Sequence, residues 1–201
     1  FPKELQYAHQ KAPDKHLIQT EACVDAEVPK WQDDAWYWSK EATDWGWDWA
    51  PEKDKKYHPK YVPVYRYGRD IIGCLNNWVD GWIDWNMVLD KQGGPNWFKN
   101  WCIAPVIVDP EADEVYFTPL YYTMSHFSKY IRPGSKRIGF NNSNENLQVT
   151  AAKNPDGSIA VVILNEDKNP QSFSLSLGEE TKQIVINGQA IQTVMISTKT
   201  R

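Results

Sequence analysis

Leu17-Ile18-Gln19-Thr20-Glu21-Ala22-Cys23 begins apolar and ends polar, with a carboxylate where the run meets a polar loop. Short runs of this kind predict a buried strand, here one that delivers Glu21 to its C-terminal end. A second stretch answers it: Val79-Asp80-Gly81-Trp82-Ile83-Asp84-Trp85-Asn86 is again short, β-branched and aromatic, and again ends in groups that can hold a polar ligand. Ahead of it, Tyr67, Ile71, Leu75 and Trp78 recur at helical spacing with Ile72 beside them, which predicts a helix covering the outside of a sheet. Strand, helix and strand in that order form the unit that builds parallel sheets. In parallel barrels the C-terminal strand ends carry the chemistry. Glu21 and Trp85 are therefore read as groups of one site, on two neighbouring strand ends.

Outward from this unit, Phe1 to His16 is polar and carries Pro2 and Pro13, and reads as the tail of a helix or a loop leading into the first strand. Between the first strand and about Val64, Trp31, Trp36, Trp38, Trp45, Trp47 and Trp49 are interleaved with Asp33, Asp34, Glu41, Asp44 and Asp48. Irregular segments this long are uncommon in compact domains and often functional. This one is read as a lid or rim over the strand ends, with a packed structural insertion as the alternative. Glu52-Lys53-Asp54-Lys55-Lys56 reads as a solvated surface turn.

Gly93-Gly94-Pro95-Asn96 marks a tight turn. It is no phosphate loop, since neither Lys-Ser/Thr nor a helix pattern follows. Pro105 to Phe117 predicts a hairpin around Asp109-Pro110-Glu111-Ala112-Asp113. Thr118-Pro119 starts a helix with the stripe Leu120, Met124, Phe127 and Ile131, ended by Pro133-Gly134. Strands are then expected over 137–140, 147–152, 159–165, 172–177, 183–187 and 191–197, with turns at Asn154-Pro155-Asp156-Gly157 and Asn187-Gly188. The alternation in Ser172-Phe173-Ser174-Leu175-Ser176-Leu177 is that of a half-buried strand. An antiparallel sandwich thus follows an α/β part.

The composition narrows the function. The chain has 201 residues, 41% of them hydrophobic, and a net charge of -4, which allows a core and gives no sign of a nucleic-acid partner. No segment approaches the roughly 20 apolar residues of a transmembrane helix, and Phe1-Pro2-Lys3-Glu4 lacks a signal-peptide pattern. Cys23, Cys74 and Cys102 are too scattered for a disulfide framework or a metal site, although one disulfide is compatible with their number. His9, His16, His58 and His126 have no ligand spacing, so no metal or other cofactor is expected. The unusual feature is eleven Trp, ten Tyr and six Phe. An indole or phenol offers a flat apolar face and a polar edge, which suits the C–H face and hydroxyls of a sugar. Core packing is the ordinary role of any single one; their density in the loop segments points to a ligand.

Five motifs in order, Thr20-Glu21-Ala22-Cys23-Val24, Gly81-Trp82-Ile83-Asp84-Trp85-Asn86, Gly93-Gly94-Pro95-Asn96-Trp97, His126-Phe127-Ser128-Lys129-Tyr130-Ile131 with Pro133-Gly134-Ser135, and Asn154-Pro155-Asp156-Gly157-Ser158, resemble the C-terminal half of glycoside hydrolase family 30, in particular its glucosylceramidase-like members. The resemblance implies the C-terminal part of a (β/α)8 TIM barrel followed by an antiparallel β-sandwich domain, α/β plus all-β. Residues 1–131 would hold barrel strands 7 and 8 with their helices, and 132–201 the sandwich.

By the same resemblance the activity is a retaining β-glycosidase acting on a carbohydrate or glycolipid, secreted or periplasmic. Glu21 would be the catalytic nucleophile, Cys23 the thiol lining the pocket, Trp85 the aromatic wall of the sugar subsite and Asn100 a polar contact beside it. Retaining hydrolysis needs a second carboxyl group, which in the family sits in Asn-Glu-Pro. That triplet does not occur here. Asn144-Glu145-Asn146 and Asn165-Glu166-Asp167 read as turn residues, Asp84 as a structural hydrogen-bonding group, and Asn141-Asn142-Ser143 as a surface turn in spite of its sequon. A barrel takes about 250 residues and eight strands. The chain is therefore expected to be a fragment that needs the upstream barrel for activity, with exposed strand edges prone to association. A non-catalytic carbohydrate-binding or structural piece is the competing reading.

Overall fold

The computed structural model describes residues 2–22, 61–90, 93–95 and 104–197. The Trp-rich stretch 31–49, the charged turn 52–56, and Cys23, Asn96, Trp97, Asn100 and Cys102 lie outside the described residues. By internal contacts the chain divides into two compact units, Phe1–Met124 and Ser125–Arg201.

The first unit opens with helix α1 (Pro2–Lys11), followed by strand β1 (Leu17–Ala22), helix α2 (Val62–Asn76) and strand β2 (Val79–Asp84). β1 and β2 pair in parallel, as the strand–helix–strand pattern predicts. Helix α2 begins five residues before the expected Tyr67, because Pro63 in its first turn presets the helical φ and gives up only an amide without an internal partner. Its buried face is Val62, Tyr67, Ile71, Ile72 and Cys74. Asn77 closes it, donating from its side-chain amide to the Gly73 carbonyl (2.8 Å) and from its backbone to Cys74 (2.9 Å). The chain reverses within two residues, with Trp78 in the left-handed region (φ 63°) and its indole stacked on His9 at 4.3 Å. Trp78, expected to lie on the helical stripe, is thus the hinge between α2 and β2.

A three-stranded sheet joins β3 (Val88–Asp90), β4 (Val106–Asp109) and β5 (Glu114–Phe117). β4 and β5 are the expected hairpin, and Asp109 Oδ1 accepts the amides of Glu111 and Ala112 inside its turn. The sequence reading missed β3, which pairs in parallel with β4; three residues are too few to show a period. Its end is tied by Asp90, whose carboxylate accepts the Gly94 amide (2.8 Å). Helix α3 (Pro119–Ser128) follows and ends earlier than the stripe to Ile131 implied.

In the second unit, β6 (Lys136–Arg137), β7 (Leu147–Lys153), β8 (Ile159–Asn165) and β11 (Ala190–Ile196) form an antiparallel sheet in the order β11-β8-β7-β6. β9 (Gln171–Leu177) and β10 (Glu180–Ile186) form a separate hairpin, turned through Gly178 at φ 60°, the first loop position that a type II′ turn reserves for glycine. Ile186, Phe173 and Leu175 of the hairpin pack with Leu147, Ala151, Ile159, Val161 and Ile163 of the sheet, which makes a two-layer sandwich core. β8 is buried along its whole length, as expected of a central strand. The strand expected over 137–140 shrinks to the two residues of β6, since only Lys136 and Arg137 find ladder partners.

Asn187-Gly188 is not a hairpin turn. β10 and β11 belong to different layers, so 187–189 is a corner, and it lies against the companion corner 167–169 that carries β8 into β9. The buried Asn165 side chain holds both, donating to the carbonyls of Asn169 (3.0 Å) and Asn187 (2.9 Å). Gln189, at φ 48°, donates its amide to Asp167 at 2.7 Å. A Cβ on Gly188 would sit 1.9 Å from the Lys168 carbonyl oxygen, backbone that cannot rotate away. Gly188→Ala should therefore lower unfolding stability by about 1–3 kcal/mol or more in urea titration. Gly139→Ala, where a Cβ meets nothing within 4 Å, should change the unfolding free energy by less than about 0.5 kcal/mol.

Candidate active site

The C-terminal ends of β1 and β2 are brought together by their parallel pairing, and β2 packs on α2. The Trp82 indole donates to Asp70 Oδ2 (2.7 Å) and meets the Tyr67 ring edge-on at 4.9 Å. Two residues on, the Tyr67 hydroxyl donates to Asp84 Oδ1 (2.6 Å). Trp82 and Asp84 thus turn toward the helix. Gly81 takes the other face, where a Cβ would touch Ile18 at 3.5 Å, and pleat alternation sends Ile83 the same way. Ile18 and Ile83 are both about half exposed.

Glu21 is the penultimate residue of β1, and its side chain is exposed. Immediately beyond it, the Ala22 carbonyl accepts the amide of Trp85 at 2.8 Å. The carboxylate and the indole expected to form one site therefore stand on adjacent strand ends, next to a shared backbone hydrogen bond. Trp85 is 53% exposed, an accessible aromatic surface at the strand end adjoining that of Glu21. Cys23 and Asn100 fall outside the described residues.

Two groups of this region were not singled out from the sequence. By its spacing Tyr67 belongs to an apolar stripe; its hydroxyl is what anchors Asp84. Gln19 is, by sequence, one residue of the strand. Its side-chain amide donates to the Glu21 carbonyl (2.8 Å) while its carbonyl oxygen accepts the Glu21 amide (2.7 Å). A long amide side chain two residues before a strand-end carboxylate is the signal that could have revealed it.

Asp84 has the structural role expected for it. Burial lifts its carboxyl to about 6, against the opposing effect of the Tyr67 hydrogen bond and of the Trp85 and Asn86 amides. Its Oδ2 is buried without a hydrogen-bond partner among the described residues. Cys74, on the buried face of α2, is lifted to about 12 by desolvation and the Asp70 charge, which disfavours its thiolate at neutral pH.

The sequence pattern of the glycosyl hydrolase family 30 TIM-barrel domain matches residues 2–131, and that of the family 30 beta sandwich domain matches residues 134–194. The chain belongs to glycosyl hydrolase family 30 and comprises the C-terminal portion of its barrel with its β-sandwich. Among curated relatives it is 34% identical over 193 residues to putative glucosylceramidase 4 of Caenorhabditis elegans, covering 94% of this chain and 32% of that protein. It is 32% identical over 169 residues to lysosomal acid glucosylceramidase of Mus musculus, covering 84% of this chain and 28% of that protein. The chain thus spans about a third of the length of such relatives. Its fold is that of SrfJ from Salmonella typhimurium, with a TM-score of 0.79 at 24% identity over 98% of this chain and 38% of that one.

The raised Asp84 carboxyl fixes the sign of a pH effect. The folded state keeps the Asp84 proton up to about pH 6, whereas the unfolded chain loses it near 3.8. Folding is therefore opposed increasingly as pH rises through that window, and constantly above it. The stability of Asp84→Asn relative to the native chain should rise by at most about 2 kcal/mol between pH 4 and 7, after allowing for partial solvent access. Urea unfolding across that range measures the difference; a flat difference would mean an ordinary carboxylate.

Proposed function

We propose that this chain is the nucleophile-bearing part of a retaining β-glycosidase of glucosylceramidase or β-glucosidase type. The observation that carries the proposal is an exposed Glu21 at a barrel strand end, one residue from the carbonyl that holds Trp85. In the proposed reaction the ionised Glu21 attacks the anomeric carbon of a β-linked sugar, forming a covalent glycosyl-enzyme. A second carboxyl group roughly 5–5.5 Å away protonates the leaving aglycone and then activates the water that releases the sugar. Trp85 holds the sugar's C–H face against its indole, and Cys23 and Asn100 line the same subsite.

The second carboxyl group is assigned to the barrel portion upstream, since no Asn-Glu-Pro occurs in the 201 residues. Supplying the remaining strands would also cover Ile18 and Ile83. The fragment by itself would then be inactive. We keep the domain boundary at 131/132, which the gap between the two family patterns supports. The names of the relatives support a β-glucoside with a lipid aglycone as substrate, and a place in sphingolipid metabolism.

In the enzyme that includes the whole barrel, a 2-deoxy-2-fluoro-β-glucoside should label the peptide containing Glu21, read by mass spectrometry. Glu21→Gln should lower kcat/KM by about 10³-fold or more, equivalent to losing at least about 4 kcal/mol of transition-state stabilisation. Labelling at another carboxylate would remove Glu21 from the nucleophile's role.

A further inference from the structure

The ladder between β1 and β2 is irregular in two places, between Leu17 and Ile18 and again between Gln19 and Ala22, across Glu21. Gln19 is level with Trp82 and Ala22 with Asp84, so three steps along β1 match two along β2. One extra residue is accommodated at Thr20-Glu21, the count of a β-bulge, which interrupts ladder pairing and re-aims side chains beside functional sites. At a bulge the peptide groups lose regular partners, and unpaired backbone N–H and C=O groups are costly to bury. Here the Glu21 peptide groups are bonded by Gln19, whose amide accepts from the Glu21 N–H at 2.7 Å and donates to the Glu21 C=O at 2.8 Å. Both backbone groups of the carboxylate-bearing residue are thus closed into a ring by one side chain two positions upstream.

We infer that Gln19 is a positioning residue for Glu21, fixing the bulged backbone so that the carboxylate is presented at the strand end in one orientation. This rests on the reading of Glu21 as nucleophile. Gln19 touches neither sugar nor reacting atoms. Its amide is neutral, so it supplies both a donor and an acceptor without adding charge beside the carboxylate. Displacements of about 1 Å at a reacting group can cost on the order of 10²-fold in rate. An effect of that kind falls on the chemical step rather than on sugar binding.

The test uses the enzyme with its whole barrel, a fluoroglucoside inactivator and an aryl β-glucoside substrate. Gln19→Met keeps the length and removes both hydrogen bonds. It should lower kcat, and the rate at which Glu21 is labelled, by about 10- to 100-fold, with KM within about threefold. Gln19→Glu is the conservative variant. Protonated, it can donate to the Glu21 carbonyl and accept from its amide as glutamine does; ionised, it cannot donate. Its activity relative to the native enzyme should therefore be recovered at acid pH and fall as pH rises through the new carboxyl's pKa, normally about 4.3. Labelling of Glu21 in the native enzyme combined with native rates in Gln19→Met, or with a pH-independent ratio in Gln19→Glu, overturns the inference while leaving the nucleophile intact. Labelling of the native enzyme elsewhere than Glu21 overturns both.

Discussion

The structure of the first unit depends on the parallel pairing of β1 with β2, and that pairing is fixed from the side of α2. Two polar contacts do this: the Trp82 indole on Asp70 and the Tyr67 hydroxyl on Asp84. A one-residue slip of β2 would exchange its two faces, taking Trp82 and Asp84 off the helix and leaving Asp70 and Tyr67 without these partners. Apolar contacts alone would tolerate such a slip more readily, because they lack direction. The anchor has a cost in the half-satisfied carboxyl of Asp84, which stays protonated to an unusually high pH. The return is a defined register at the end of the ladder, where the Trp85 amide meets the Ala22 carbonyl.

The second unit is held by a different device. Its sheet and hairpin share an apolar core, but the loops at the two ends of the β7–β8 pair are tied by buried asparagines. Asn154 accepts from the Arg132 amide (3.1 Å) and the Ser135 hydroxyl (2.6 Å), and donates to the Tyr130 carbonyl (2.9 Å) and the Ser158 hydroxyl (3.0 Å). Asn165 joins the two corners as described above and also accepts the Asp167 amide (3.0 Å). Neutral amides suit this role, since each offers two donors and an acceptor without the desolvation penalty of a charge.

These two residues also mark where the sequence stops being legible. Asn154 and Asn165 look like ordinary turn asparagines, and the preference of asparagine for turns is a local property. That they are buried and bridge segments twenty or more residues apart follows from tertiary structure alone. Asn187-Gly188 misled for the same reason: the pair has the composition of a hairpin turn, but the clash of a Cβ with Lys168 shows that the glycine is there for close backbone approach. What could be read was what has a period or a fixed order. β8 declared itself by an apolar run, β9 by alternation, and β1, α2 and β2 by the change of period between strand and helix. β3, with three residues, had no period to show.

The candidate site residues could be singled out by type and not by geometry. Glu21 and Trp85 stood out because a carboxylate and an indole end two strand-like runs, yet strict alternation would give Gln19 and Glu21 the same face of the sheet. The ladder breaks that rule: both partners of the step from Gln19 to Ala22, namely Trp82 and Asp84, point to α2, so the odd number of steps from Gln19 to Ala22 must be absorbed locally. A regular strand would bind Glu21 to a face chosen by parity. The irregular one frees its direction from that constraint, at the expense of ladder hydrogen bonds for which the Gln19 side chain substitutes. Period-based reading therefore fails at the residue proposed as nucleophile, as expected where local regularity gives way to a special local geometry.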